Sequence, residues 1–141
     1  MEQVLPVSFQ ATLELGQLNE RVMEHEFDYQ GVNIFPTDHD SNQPFDFYLP
    51  DGRSVECKID LRSQATNKAH FEEPTMNRAA DIHIHTMTYA MVFHRAEVEQ
   101  LWQRGNSVRA GDLGYNCRAV PKFVLKGRGM YLDEFIKSLK H

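Results

Sequence analysis

Residues 44–60, PFDFYLPDGRSVECKID, constrain the fold more than any other stretch of the chain. Phe45, Phe47 and Leu49 alternate with Asp46 and Tyr48, and beyond Pro50-Asp51-Gly52 the residues Val55, Cys57 and Ile59 alternate with Glu56, Lys58 and Asp60. Alternation at period two puts one set on an apolar face and the other on a charged face, the pattern of a β-hairpin. Proline presets the first turn residue and glycine tolerates positive φ, so the three-residue loop predicts a type I turn closed by a left-handed glycine. That register pairs Leu49 with Arg53 and, counting back, Asp46 with Glu56, with Cβ atoms about 4.5–5.5 Å apart. A two-residue loop would shift the register by one and send the two acids to opposite faces.

Like charges facing each other across a ladder destabilise a sheet unless something compensates. A hard divalent cation would do so: Mg²⁺ takes one or two carboxylates, keeps several waters and completes its shell with substrate phosphate. Lys58 lies two residues beyond Glu56 on the same face, where its ammonium reaches a water or the charge developing on phosphate. Two acids and a lysine on one face are the parts needed for metal-assisted phosphodiester hydrolysis. The plainer alternative is a solvated sheet face on which Lys58 simply screens Asp46 and Glu56.

Elsewhere the periodicity predicts a first helix over about residues 8–30, with Leu15, Leu18, Val22 and Met23 as its apolar stripe, Glu20 and Glu24 on one polar face, and Gly31 as its stop. VNIFPTDHDSNQ, residues 32–43, reads as a short strand or turn entering a loop. The polar stretch 61–80 is long enough for an elaborated crossing segment. DIHIHTMTYAMVF predicts one or two strands and HRAEVEQLWQR a helix over about 94–104; a turn-rich stretch follows, then a short strand and a basic turn in VPKFVLKGRG. Leu132, Phe135, Ile136 and Leu139 mark a final amphipathic helix.

With 141 residues, 41% of them hydrophobic and 25% charged, the chain suits one globular domain with its own core. The start shows neither a basic-apolar leader nor an apolar run of membrane length, which predicts a cytoplasmic protein without a membrane partner. Cys57 and Cys117 are too few for a disulfide framework and read as reduced thiols. The formal charge of −5 excludes a protein that coats nucleic acid by charge alone, but the sign is uneven. Residues 1–100 hold seven basic against seventeen acidic side chains, whereas residues 101–141 hold eight against three. This suits a basic C-terminal surface, with a solvated face of scattered lysines and arginines as the alternative.

Asp46, a nine-residue gap and Glu56-Cys57-Lys58, preceded by an acid-bearing helix, resemble the PD-(D/E)xK superfamily of restriction-endonuclease-like nucleases. In that family the proline often directly precedes the first aspartate; here the order is Pro44-Phe45-Asp46. The helix, the hairpin and the strand-helix pattern after it resemble the family's αβββαβ core over about residues 10–105, leaving 106–141 as a basic C-terminal extension of a single domain. IDLRSQATNKAHFE, with Ser63, Thr66 and Asn67 before a strand-like stretch bearing Glu72, is more loosely similar to small phage-type members.

The resemblance implies an α/β fold with a mixed central sheet flanked by helices and a Mg²⁺-dependent endodeoxyribonuclease, with Mn²⁺ as a substitute and no organic cofactor. Asp46, Glu56 and the main-chain carbonyl of Cys57 would hold the metal, Lys58 would orient or activate the attacking water, and Glu20 would assist from the helix, with Glu24 and Glu14 as alternatives. The products would carry 5′-phosphate and 3′-hydroxyl ends. Cutting both strands of a duplex needs two such sites, which implies a homodimer acting on DNA, in a host's cytoplasm if the chain is phage-encoded. The alternatives are a structure-selective nuclease for branched or junction DNA and a non-catalytic nucleic-acid-binding module on the same fold.

Further candidates surround this set. Arg118, Lys122, Lys126 and Arg128, interleaved with Phe123 and Gly127, are suited to tracking a phosphate backbone, and Arg62 and Lys68 to holding phosphates near the metal. Arg78 belongs with the last two, and ordinary surface charge is the alternative for all of them. Asp81, His83 and His85 would share a strand face, but zinc needs three or four ligands and would have to draw on His70, His94 or His39. A polar strand face is the simpler reading. Trp102, beside Val98 and Leu101, reads as a core anchor.

Overall fold

The structure, a computed structural model, describes residues 9–37, 45–78, 80–108 and 116–140. The loop expected over 38–43, with His39, and residues 109–115 of the turn-rich stretch lie outside the described residues.

Helix α1 (Phe9–Tyr29) stops where glycine permits it. Gly31 sits at φ +83°, Val32 N–H donates to Phe27 O and Gly31 N–H donates to Asp28 O, both at 2.9 Å. This bond pair satisfies the carbonyls left over at a helix end. The buried side of α1 is Asn19, Met23 and Phe27, spaced by four. Leu15, Leu18 and Val22, expected in the core, are exposed, and of the predicted stripe only Met23 is buried. Phe27 lies amid acidic and polar neighbours and takes the central place, its ring 5.4 Å from that of Phe47 and 6.4 Å from that of Phe135.

The hairpin has the expected turn. In β2 (Phe47–Tyr48) and β3 (Ser54–Ile59), Gly52 is at φ +92°, its N–H donates to Leu49 O, and Leu49 N–H donates to Arg53 O, both at 2.9 Å. The ladder then runs Tyr48 to Ser54 and Phe47 to Val55.

Among the described residues, nine strands form two sheets. The larger has the order β1-β2-β3-β5-β6-β9, with β1 (Phe35–Pro36), β5 (Ile82–Thr86), β6 (Ala90–His94) and β9 (Met130–Tyr131). It is mixed: β3 and β5 are parallel and all other neighbours antiparallel. The crossover from β3 to β5 holds α2 (Ser63–Thr66), β4 (Lys68–Glu72) and α3 (Glu73–Arg78). β4 pairs with β8 (Cys117–Pro121), and β8 with β7 (Asn106–Val108), to make the smaller sheet.

One face of the large sheet, with Val55, Cys57, Ile82, Ile84 and Val92, packs on Phe27 of α1 and on Phe135 and Ile136 of α6 (Leu132–Ser138). The other face, with Met91 and Phe93, packs on Phe71 of β4, Val98 and Leu101 of α4 (Arg95–Arg104), Val120 of β8 and Leu125 of α5 (Lys122–Leu125). The fold is therefore α/β, a mixed central sheet with helices on both faces. Residues 117–140 contribute to both cores and both sheets, so the core does not end near residue 105 with an extension appended. Both cysteines are buried free thiols, and no helix among the described residues is long and apolar enough to cross a membrane.

The turn before β9 is closely packed. Gly129 is at φ +75°, donates to Glu97 Oε2 at 2.7 Å, and a Cβ there would lie 2.6 Å from both the Phe93 ring and Val92 O. Gly129→Ala is expected to destabilise by about 3 kcal/mol, from positive φ and overpacking together. Urea unfolding of the two proteins measures it.

Candidate active site

The site lies where β2 and β3 part. Past Phe47 the chain is drawn towards β1: Thr37 N–H donates to Asp46 O at 3.2 Å, and the Thr37 hydroxyl donates to Phe45 O and Asp46 O. Asp46 N–H donates to Val55 O. Asp46 therefore does not face Glu56 in a regular ladder. Its Oδ2 reaches along β3 and accepts from Cys57 N–H at 2.6 Å, taking the place of the missing strand partner. A buried main-chain donor needs such an acceptor, and a carboxylate supplies a charge-assisted one.

Three acids meet at this fork. Glu20 of α1 hydrogen-bonds to the Asp46 carboxylate and feels Glu56 and Glu24 nearby. Burial first, then the charges of Asp46 and Glu56, push the Glu20 carboxyl up from 4.5 to about 8. Of the three helix acids, Glu20 is the one in the fork; Glu24 lies one turn on, and Glu14 is exposed about 9 Å back along the axis. Glu56 is buried, while Asp46, Glu20 and Lys58 are half-buried at the rim.

Lys58 comes from the same face of β3, with Nζ 3.2 Å from Glu72 Oε2 of β4. Glu56 and Lys58 register with His83 and His85 of β5. Together with Glu72 and Thr75 these side chains line a recess of about 10 Å³. That is room for a water and not for a nucleotide, so a phosphate backbone has to approach from the rim.

Beneath Lys58 lies a network that the sequence did not reveal. The Asp60 side chain, 2% exposed, accepts from His85 Nε2 at 2.8 Å, His70 Nδ1 at 3.1 Å and His70 N–H at 2.6 Å. Burial alone would raise its pKa; the hydrogen bonds from His70 and His85 outweigh it and hold the carboxyl well below the usual range. The available signal was that Asp60 follows Lys58 by two residues on one face. Asp81 turns away to Ser54, accepting from its N–H and hydroxyl, so Asp81, His83 and His85 do not assemble a zinc site.

The donors at the fork are of the chemical kind a hard divalent cation takes. Glu56, one oxygen of Asp46 and the Cys57 carbonyl are hard oxygen donors of the kind Mg²⁺ takes with water. The three neighbouring acids of the fork are not arranged as a ready-made metal centre, and neither is any other group of three His, Cys, Asp or Glu among the described residues, so a cation would share its shell with carbonyl, water and substrate.

No protein-family model matches the chain, and no curated protein matches its sequence. The solved structure of D212, a nuclease from a fusselovirus, matches it with a TM-score of 0.52 at 10% identity, over 98% of this chain and 95% of the other. The chain shares the fold of the fusselovirus nuclease. Because the match spans nearly both lengths, the likeness to the fusselovirus nuclease includes the smaller sheet and α6 and is not confined to residues 10–105.

The structure does not bring the six basic candidates together. The Arg118 guanidinium lies 4.4 Å over the Trp102 ring and donates to Trp102 O at 2.8 Å, and Arg128 donates to Val124 O at 2.7 Å. Both are taken up in packing, as is Trp102 against the second core. Lys68 lies opposite Pro121, which brings it beside Lys122 at one end of the smaller sheet, next to α2, which exposed Arg62 precedes. Lys126 is exposed one turn on.

Glu20 makes a testable contribution to stability. Between about pH 4.5 and 8 the folded carboxyl keeps a proton that the unfolded one has lost, so raising the pH through this window removes stability. Discounted for solvent screening of a half-buried group, the loss in the metal-free protein should be about 2 kcal/mol, and Glu20→Gln should show none of it. Urea unfolding in EDTA from pH 5 to 9 reads the difference.

Proposed function

We propose that this chain is a Mg²⁺-dependent endodeoxyribonuclease of the PD-(D/E)xK type, hydrolysing DNA phosphodiester bonds with water as nucleophile. The observation that carries the reading is the fork itself: Glu20 bonded to Asp46, both beside Glu56, with Lys58 on the next position of the same strand face. The fold shared with a viral nuclease supports it. Asp46, Glu56 and the Cys57 carbonyl would hold Mg²⁺ or Mn²⁺, which supplies charge neutralisation at the phosphate and a more acidic water. Glu20, hydrogen-bonded to Asp46, would hold that carboxylate in place from the helix. Lys58, oriented by Glu72, directs its ammonium at the incoming water and at the oxygen on which charge develops. Lys68, Lys122 and Arg62 supply phosphate contacts away from the cut, where they position the backbone without reading bases. The reaction belongs in the cytoplasm, and two copies act together as a homodimer.

A second reading rests on the Lys58–Glu72 pair, which a non-catalytic DNA-binding module would also keep as a surface ion pair. Supercoiled plasmid with Mg²⁺, beside EDTA and Asp46→Asn, separates them. Nicking or linearisation lost in EDTA and in the variant is expected. No cutting of plasmid, single-stranded or branched DNA with Mg²⁺ or Mn²⁺ would favour the binding module.

A further inference from the structure

The side of α1 turned away from the fork has no covering element among the described residues. Leu15, Leu18, Val22 and Tyr29 are 36%, 54%, 50% and 80% exposed, and with His25 they follow one another at steps of three, four, three and four residues. A 3-4 alternation is the seam by which one helix packs along another. Scattered apolar side chains on a surface need no explanation, but a continuous seam over four turns marks an interaction site. Its charges suggest the occupant. Arg21 and Asp28, both exposed, flank the seam on one side seven residues apart, and they line the same cleft as His25.

We propose that this seam is the dimer surface of the chain, α1 packing antiparallel on α1 of a second copy about a twofold axis between Val22 and His25. In that arrangement Val22 meets the second copy's His25, Leu18 meets its Tyr29, and Arg21 meets its Asp28, each contact occurring twice as twofold symmetry requires. A parallel pair would set Val22 against Val22 and His25 against His25, two imidazoles that repel each other when protonated. The proposal rests on the homodimer reading above and names its surface. Its consequence is geometric: at 100° per residue Glu20 lies about 160° round α1 from Val22. The two forks therefore lie on the outer flanks of the pair, facing away from each other. They reach two separate segments of DNA, as branched substrates offer, so the seam keeps the homodimer but joins it to the branched-DNA alternative, and cutting both strands of one duplex is no longer the reason for two copies.

Light scattering of the full chain at tens of micromolar, with Leu18→Glu and Val22→Cys variants, tests this. The wild type should be a dimer and Leu18→Glu a monomer with unchanged circular dichroism. A short bismaleimide should cross-link Val22→Cys to itself but not Leu15→Cys, whose two copies would lie about 25 Å apart along an antiparallel pair. A monomeric wild type, a Leu18→Glu dimer or equal cross-linking at both positions would overturn the proposal. The nuclease reading is scored separately by plasmid nicking: a monomer that nicks sinks only the dimer surface, and a dimer without cutting sinks only the nuclease.

Discussion

Lys58→Ala is expected to lower turnover on plasmid DNA by about a thousandfold while leaving DNA affinity within a few-fold of the wild type. Removing a preorganised positive group from developing charge costs a factor of about 10²–10³ in comparable sites, roughly 3–4 kcal/mol of barrier. Stability should hardly move, because the pair with Glu72 is 35% and 25% exposed and such pairs contribute less than about 1 kcal/mol. Single-turnover cleavage beside a gel-shift titration makes the measurement. Loss of affinity in step with turnover would make Lys58 a phosphate-holding residue. Unchanged turnover would remove the chemistry from this hairpin.

Asp60→Asn should be the most destabilising conservative change near the site, by about 3 kcal/mol at pH 7, since it removes a charge that three donors are built to meet. An amide also turns a donor towards one of the two histidines. The folded carboxyl titrates below its unfolded value, so its contribution is complete above the unfolded pKa near 3.8 and is lost as the pH falls through the lower folded one. The gap between wild type and variant should therefore only begin to narrow by pH 3 and close at lower pH, which urea titrations at pH 7 and pH 3 would show as a partial loss. Activity should fall too, because His70 belongs to β4, the strand that brings Glu72 to Lys58.

What the sequence made legible was local. The Pro-Asp-Gly loop dictates its own turn, so the pairing of Leu49 with Arg53 follows from chemistry within five residues. The ends of α1 follow from its periodicity and Gly31. The buried face of α1 does not. Leu15, Leu18 and Val22 on one side compete with Met23 and Phe27 on the other, and only the sheet that covers the second side decides. Asp46 illustrates a similar limit: hairpin arithmetic placed it opposite Glu56, but the pull of Thr37 on the Asp46 carbonyl redirects the carboxylate to Cys57 N–H. The Asp60 network joins residues 10 and 25 positions apart, through strands that pair only in the folded chain. Nor does spacing along the chain show that Arg118 stacks on the Trp102 ring.

The parallel pairing of β3 with β5 also sets an order of events. The β2–β3 hairpin closes over a three-residue loop and is free to form within microseconds. β3 meets β5 only after the chain of residues 60–81 has looped back, a slower and entropically costlier closure. Asp46 and Glu56 are thus neighbours early, whereas the clamp that aligns Lys58 arrives late. Refolding should show a hairpin-like signal that precedes recovery of activity, and the interval between the two should lengthen when the 60–81 crossover is lengthened.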